Sequence, residues 1–452
     1  MIRRPIALAL AALLSPLAAH ATDLMQTFEM ARSGDPQLAS AESGRLAQKE
    51  GAVQARALLL PQLNGSASFT RSNSKPEGSS WSDTGKSREY GVGLSQSVFD
   101  YSRISNLRSQ KALSHAADFD LESANDSLIV RTSAAYFNVL VAIDTVSAAE
   151  ASEAAYKKQF DYAQKRLEVG LAPITDVHEA RASYDGARAT TIEAKNSLKD
   201  AYQALEEITG QPINRLMALP ADFRPELPAG KDANAWVATA LDSNPALKSL
   251  DYQVKSAEAD VSTARAGHLP TLSLSGSYGR GATWGGSTVG TGSYSTNGSA
   301  DSKSIGLSLN VPIFAGGGTQ SKVRAALAQR DMAQDSFEQQ RRSIIRNTRN
   351  AYNTLEAGIS EVEARRLALV SAQSAYEASQ VGLEVGTRTV LDVLQNQRTL
   401  FSAEQDYSTA KYNYLQNRLL LAQAAGTLDI DDLQDINRLL TADAEIKRAP
   451  NP

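Results

Sequence analysis

Two short stretches set charge beside a glycine turn. VGTRTVLDVL, residues 385–394, ends a long polar, alanine-rich helical run at Gly386, then carries Thr387, Arg388 and, four residues on, Asp392. VGLAPITDV, residues 169–177, repeats Val, Gly, Asp and Val at the same offsets, with Gly170, Leu171, Pro173, Thr175 and Asp176. Glycine adopts the left-handed conformation just past a helix end at least cost, and Pro173 suits the first turn of a helix that starts again. Each stretch reads as the tip of a helical hairpin. Asp176 near a helix start favours the macrodipole, so a capping acid is one reading of it. Arg388 runs against local physics. A cation in the first turn opposes the dipole, and arginine four residues before aspartate is the poorer order for an intrahelical pair. It needs a tertiary partner, and Asp176 on the other hairpin is the natural one. The chemistry on offer is reversible ion pairing, about 1 kcal/mol per exposed link.

Covalent chemistry has no foothold in the sequence. No nucleophile–base–acid arrangement is legible, and His115, His178 and His268 are scattered without metal-ligand spacing. Neither enzyme activity, cofactor nor metal is expected. Gly316–Gly318 follow an alternating segment but lack the Gly-Lys-Ser/Thr of a phosphate loop, so they read as a strand-to-helix junction. The 452 residues carry a net charge of −4 and no cysteine. A disulfide framework and a lipidated cysteine are thereby excluded, and the mild acidity argues against nucleic acid. Residues 1–21 read as a secretory signal: Arg3 and Arg4, an apolar Ile6 to Leu14 too short to span a bilayer, then Ala19-His20-Ala21. Loss of those two arginines takes the charge from −4 to −6. We read no later apolar run of 18 residues, so a membrane crossing would have to be a β-barrel.

The elements that position the two turns are themselves written twice. Asp176 and Asp392 lie 216 positions apart, as do AYFNVL (135–140) and AYNTLE (351–356), and Gly210 and Gly426. DPQL and NPAL (from 35 and 244), and LPQL and LPTL (from 60 and 269), keep an offset of 209; VGLSQSVF and IGLSLNVP (from 92 and 305) keep 213. The drift falls where loops tolerate insertion. Each repeat reads as a helical stretch (24–57; 235–266), a β region (61–99; 270–314), a very long helix (101–168; 319–384), the glycine turn (169–175; 385–389) and a returning helix (174–208; 389–425). The domain plan is then repeat 1 over 22–212, a proline-rich connector over 213–234, repeat 2 over 235–428 and a tail over 429–452.

The β regions alternate at period two. Leu63, Gly65, Ala67 and Phe69 oppose Asn64, Ser66, Ser68 and Thr70; Ile305, Leu307, Leu309 and Val311 oppose Gly306, Ser308 and Asn310. Apolar on one face and small-polar on the other fits transmembrane β-strands, although an amphipathic sheet of a soluble protein looks the same strand by strand. The segments 72–88 and 280–302, rich in Gly, Ser, Thr and Asn, read as long loops, and Trp81, Phe99, Tyr101, Trp284 and Phe314 sit near strand ends. Four strands cannot close a conduit, whereas three chains giving about twelve can. The long helices, about 100 Å each at 1.5 Å per residue, carry a narrow heptad stripe, Tyr352, Leu355, Ile359, Val362, Leu369 and Tyr376. That suits side-by-side pairing in a wall wetted on both sides.

AYFNVL, VGLAPITDV, ARASYD, GHLPTL, VGTRTVLDVL, KYNYL and GTL together resemble the TolC family of outer-membrane channel proteins, over about residues 23–428. The lipid-anchored drug-efflux branch, which carries a cysteine after the signal, is less similar. The resemblance implies an all-α plus transmembrane β-barrel fold: a homotrimer with a 12-stranded barrel in outer-membrane lipid, continued by a 12-helix α-barrel. It implies a periplasmic adaptor docked at the tips (Gly170, Leu171, Gly386, Thr387), an inner-membrane pump of RND or ABC type, and export of drugs or unfolded proteins. It further implies that Arg388 reaches Asp176 and Thr175 within and between protomers, closing the mouth, and that Asp392 faces the lumen as a ring of carboxylates that binds cations. Two positions depart from the family pattern. Leu383 stands where a tyrosine is usual and cannot hydrogen-bond to Asp176. Gln395 stands where a second aspartate is usual, leaving one acidic ring. Both predict a mouth that opens more readily and is less sensitive to multivalent-cation block. The rival readings are a passive porin, which has no use for such helices, and a structural coiled-coil envelope protein.

Overall fold

Proline decides where the first helix of each half breaks. The residue before proline is pushed out of the αR region. In the computed structural model Asp35 and Asn244, preceding Pro36 and Pro245, have ψ of 116° and 120°. The stretches 24–57 and 235–266, read from sequence as single helices, are therefore two helices each. α1 is Leu24–Gly34 and α2 Pro36–Ala57; α5 is Ala233–Ser243 and α6 Pro245–Arg265. The break is capped: Asp35 accepts from the Leu38 amide at 2.9 Å and pairs with Arg131 at 2.6 Å. The structure describes residues 21–74, 77–78, 81–220, 223–226, 232–289, 291–295 and 297–444. The signal segment, save Ala21, lies outside them, as do 221–222 and 227–231 of the connector and 445–452 of the tail.

The chain divides into two compact units. One holds 42–121 and 246–340, the other 1–41, 122–245 and 341–452. The first carries the large sheet. β1 (Gln62–Ser74) pairs with β2 (Trp81–Phe99), β2 with β4 (Thr271–Val289), and β4 with both β6 (Gly298–Asn310) and the short β5 (Gly292–Ser295), all antiparallel. β1 and β6 are left as edges, so the sheet is open within one chain. The segments 72–88 and 280–302 are thus strand for most of their length: Ser74 pairs with Asp83, and β4 runs to Val289. Their Gly/Ser/Thr composition hides this, because the ladder is a backbone interaction and needs no apolar alternation. Register makes one face continuous. Leu63 lies opposite Leu94, Val92 opposite Tyr278, Leu274 opposite Leu307, and Leu272 opposite Leu309. That apolar band ends in aromatic and basic residues: Arg88 lies 5.6 and 5.2 Å from the Tyr90 and Trp284 rings, and Lys303 5.6 Å from that of Tyr278. Gly316 and Gly317, both at positive φ, turn the chain from β6 into α7.

The second unit carries the hairpins and a packed core. α3 (Tyr101–Glu168) and α7 (Gly318–Glu384) span 68 and 67 residues, of which 122–168 and 341–384 belong to this unit, and return as α4 (Ile174–Thr209) and α8 (Val390–Ala425). Along α7 the buried seam runs Thr348, Leu355 and Val362, a heptad step, with Ala372 and Ser379 beyond. An 18-residue window of α3 reaches mean hydropathy 1.3, long and apolar enough to cross a membrane by composition, contrary to the sequence reading that none occurs. More than half of that window is buried inside the protein. Leu128, Tyr136, Val139, Leu140 and Val146 of this helix are core residues, so the hydropathy is spent on packing. Tyr136 stacks edge-on to Phe137, which stacks on Tyr412, and the Tyr136 hydroxyl accepts from the Met217 amide at 2.9 Å. Around this core β3 (Met217–Ala218) pairs with β7 (Ala442–Asp443), and α9 (Ile430–Asn437) buries Leu433 and Ile436. The tail residues that are described therefore fold back on the connector.

Candidate functional site at the hairpin turns

Both turns close by the same backbone chemistry. Past α3, Gly170 stands at φ 74°, its amide reaching Leu167 O at 2.9 Å while the Leu171 amide reaches Arg166 O at 2.7 Å. Past α7, Gly386 stands at φ 82°, its amide reaching Leu383 O at 3.2 Å while the Thr387 amide reaches Gly382 O at 2.8 Å. These paired bonds are a Schellman motif, which satisfies carbonyls that a helix end leaves open and favours glycine at the left-handed position.

The returning helices start differently. Thr389 caps α8 in a capping box: the Asp392 amide donates to Thr389 Oγ1 at 3.2 Å, and the Asp392 carboxylate accepts from the Thr389 amide and hydroxyl, both at 2.9 Å. Those hydrogen bonds, with Arg388 adding a smaller favourable field, hold the Asp392 carboxyl below the usual aspartate range. Asp392 is thus a capping acid at the surface and ionised. α4 has no side-chain cap. Pro173, read as a first-turn residue, is instead the N-cap in extended conformation, and Asp176 follows in the first turn with its carboxylate 3.5 Å from Thr175 Oγ1.

Arg388 and Asp176 are not brought together within one chain. Among the described residues no ion pair or hydrogen bond joins the Arg388 guanidinium to Asp176 or Thr175, and the arginine side chain lies over Gly382 instead. What fastens one hairpin to the other is a cluster the sequence did not single out. Tyr156 of α3 and Val390 and Leu394 of α8 are buried together, and Leu383, Tyr184 and Ala187 pack against them. Leu383, unable to offer a hydroxyl, contributes apolar contact here. The Tyr156 hydroxyl donates to Leu394 O at 3.3 Å, and burial raises its pKa above the ordinary tyrosine value. Farther along, Gln397 donates to Ser152 O at 3.4 Å, and Ser408 bonds Asp144. No periodicity could have matched Tyr156 to Leu394, which are 238 residues apart. Gln395 is exposed and lines a groove of about 840 Å³ between α3, α4 and α8 together with Arg398, Leu391 and Phe401. Val169, Leu171, Ile174 and Val385 crowd the turns as large exposed apolar side chains.

One chain that carries both an open, two-faced sheet and two long polar helical hairpins has the parts of an outer-membrane channel protein. The chain belongs to the outer membrane efflux protein family, with matches over residues 27–211 and 236–427. It is 36% identical over 426 residues to the outer membrane protein TolC of Escherichia coli K12, spanning 93% of this chain and 86% of that protein. It is 30% identical over 434 residues to the alkaline protease secretion protein AprF of Pseudomonas aeruginosa, spanning 92% and 87%. The outer membrane channel CmeC of Campylobacter jejuni has the same fold, with a TM-score of 0.78 at 20% identity over 93% of this chain and 90% of that one.

Proposed function

We propose that three copies of this chain form a duct through the outer membrane of a Gram-negative cell, the exit for efflux pumps and type I secretion. The observation that carries the reading is the pair of free sheet edges. Every residue of β1 and β6 is exposed, on both faces, and neither edge has a partner strand among the described residues of the chain. Unpaired strand edges are not tolerated in lipid, where each open backbone group costs several kcal/mol. Four long strands from each of three copies close about twelve, wide enough for a channel. The apolar band then faces lipid, and the serine- and glycine-rich face lines water. The two halves, 22–212 and 235–428, act as repeats of one hairpin-and-rod module, with 213–234 as connector and 429–452 as a periplasmic tail.

The turns form the periplasmic mouth of the duct. Arg388, without an ion pair or hydrogen bond to Asp176 or Thr175 among the described residues of its own chain, meets Asp176 and Thr175 of a neighbouring hairpin; three such links close the mouth, and Asp392 from each copy forms a ring that holds cations. The apolar tips, Leu171 beside Gly170 and Val385 beside Gly386 and Thr387, receive a periplasmic adaptor that connects to an RND or ABC pump. The kinship with a protease secretion protein and with TolC supports the exporting role. The test is the mass of the detergent-purified protein and its conductance in a planar bilayer. A trimer that conducts, and conducts more as Asp176→Ala/Arg388→Ser while staying trimeric, is expected. A monomer without conductance would end the proposal, and unchanged conductance in the double variant would remove the gate.

A further inference from the structure

Gly382 is buried one turn before the tip, inside α7. A Cβ added there would stand 2.6 Å from Arg388 Cγ and 3.3 Å from Arg388 Cβ, distances that force the arginine stem to move. Its carbonyl accepts from the Thr387 amide at 2.8 Å, the Arg388 amide at 3.1 Å and the Thr387 hydroxyl at 3.2 Å. We infer that Gly382 is the positioning residue of the gate: its missing side chain makes a seat for the Arg388 stem, and its carbonyl anchors the backbone beneath it, so the guanidinium is aimed before any partner arrives. The inference rests on the gate reading above.

The turn itself does not demand this glycine. At the matching place in the other hairpin, 216 positions earlier, Arg166 fills the same role in the Schellman motif, accepting from the Leu171 amide at 2.7 Å. The position matching Arg388 is there Ala172. The first hairpin carries its arginine on the incoming helix, where Arg166 donates to Leu171 O at 3.2 Å and lies 5.7 Å from the Tyr162 ring. The second carries its arginine past the turn and leaves the helix bare to receive it. Helix propensity also speaks against a structural need, since alanine is the better helix former at an interior position. A glycine kept inside a helix against that preference is explained by what lies on it. Pre-aiming removes part of the ordering cost that a long, flexible cation otherwise meets when it pairs.

The experiment compares single-channel conductance of Gly382→Ala, Arg388→Ala and the double variant in planar bilayers, each checked for trimer mass and melting temperature. Gly382→Ala is expected to raise conductance toward the Arg388→Ala level without lowering the melting temperature, and the double variant to match Arg388→Ala alone. If Gly382→Ala conducts like the parent while Arg388→Ala conducts more, the seat is refuted and the gate stands. If the double variant exceeds Arg388→Ala, the glycine acts by loosening the turn, and the inference fails. If Arg388→Ala itself changes nothing, both the gate and the seat fall together.

Discussion

Replacing Asp126 by asparagine should stabilise the protein most at alkaline pH, less at pH 5, and not at all below the ordinary aspartate range. Asp126 sits on α3, 8% exposed, with no hydrogen-bond or ion-pair partner among the described residues. Burial first, then the like charges of Glu122 one turn earlier and Asp429 at the start of α9, push its pKa up to about 7. The sign follows from proton binding. Between the ordinary value of 3.8 and about 7 the folded chain holds a proton that the unfolded chain has lost. Stability therefore falls as pH rises through that window, by at most about 1.4 kcal/mol per pH unit. Three units would give about 4 kcal/mol; solvent screening of a partly wetted carboxylate cuts this to about 2 kcal/mol. Asparagine keeps the shape and removes the titration. Calorimetric melting at pH 5 and pH 8 reads the effect. The variant should gain at pH 8 and gain less than half as much at pH 5, where only the first part of the window has been crossed. A gain of equal size at both pH values, or a loss at pH 8, would show that the charge on Asp126 is compensated and the reasoning wrong.

Other outcomes follow from the turns. Gly386→Ala forces a left-handed alanine, costing about 1–2 kcal/mol, and should lower the melting temperature without altering trimer mass. Leu394→Ala opens a cavity beside Tyr156 and should cost about 3 kcal/mol, read as melting temperature and as faster proteolysis of the hairpins. Asp392→Asn should abolish trivalent-cation block in single-channel recordings. In the parent, block should persist as pH falls through the ordinary aspartate range, because the Thr389 hydrogen bonds keep this carboxyl ionised below it. Gln395→Asp should strengthen block by adding a second acidic ring; unchanged block would place residue 395 away from the lumen.

What the sequence made legible was governed by local rules. Glycine past a helix fixes the turns at Gly170 and Gly386, with proline before the next helix at the first of them, because the left-handed position is set by the chain itself. The same kind of rule would have shown the breaks at Asp35-Pro36 and Asn244-Pro245, where the proline was visible and its effect on the preceding residue went unused. Thr389-x-x-Asp392 is likewise a capping pattern legible in the residue types, and the structure closes it as a capping box. The extended β-hairpins are harder: residues 72–74, 81–88, 280–289 and 298–302 show no apolar alternation, and only pairing with a neighbour makes them strands. The long-range contacts were out of reach. Nothing in the order of residues says that Tyr156 lies on Leu394, or that the Arg388 stem lies along Gly382.

That last contact bears on how the mouth can move. Each turn is locked internally, by Schellman bonds at one helix end and, at Thr389, a capping box at the next. Hairpin-to-hairpin attachment is thinner near the tips: three buried side chains at Tyr156, Val390 and Leu394, each worth about 2 kcal/mol of burial, and a few hydrogen bonds farther along. A tip that is rigid in shape and loosely moored in place can be displaced as a body, without unwinding, by a partner that covers its apolar crown. In the proposed trimer the aspartates and arginines need only bias a position, and three links of about 1 kcal/mol are the right size for that. Were the hairpins joined by a core as dense as the one around Tyr136, no partner's binding energy would part them; the sparse packing at Tyr156 is what supports the proposed gate at this end.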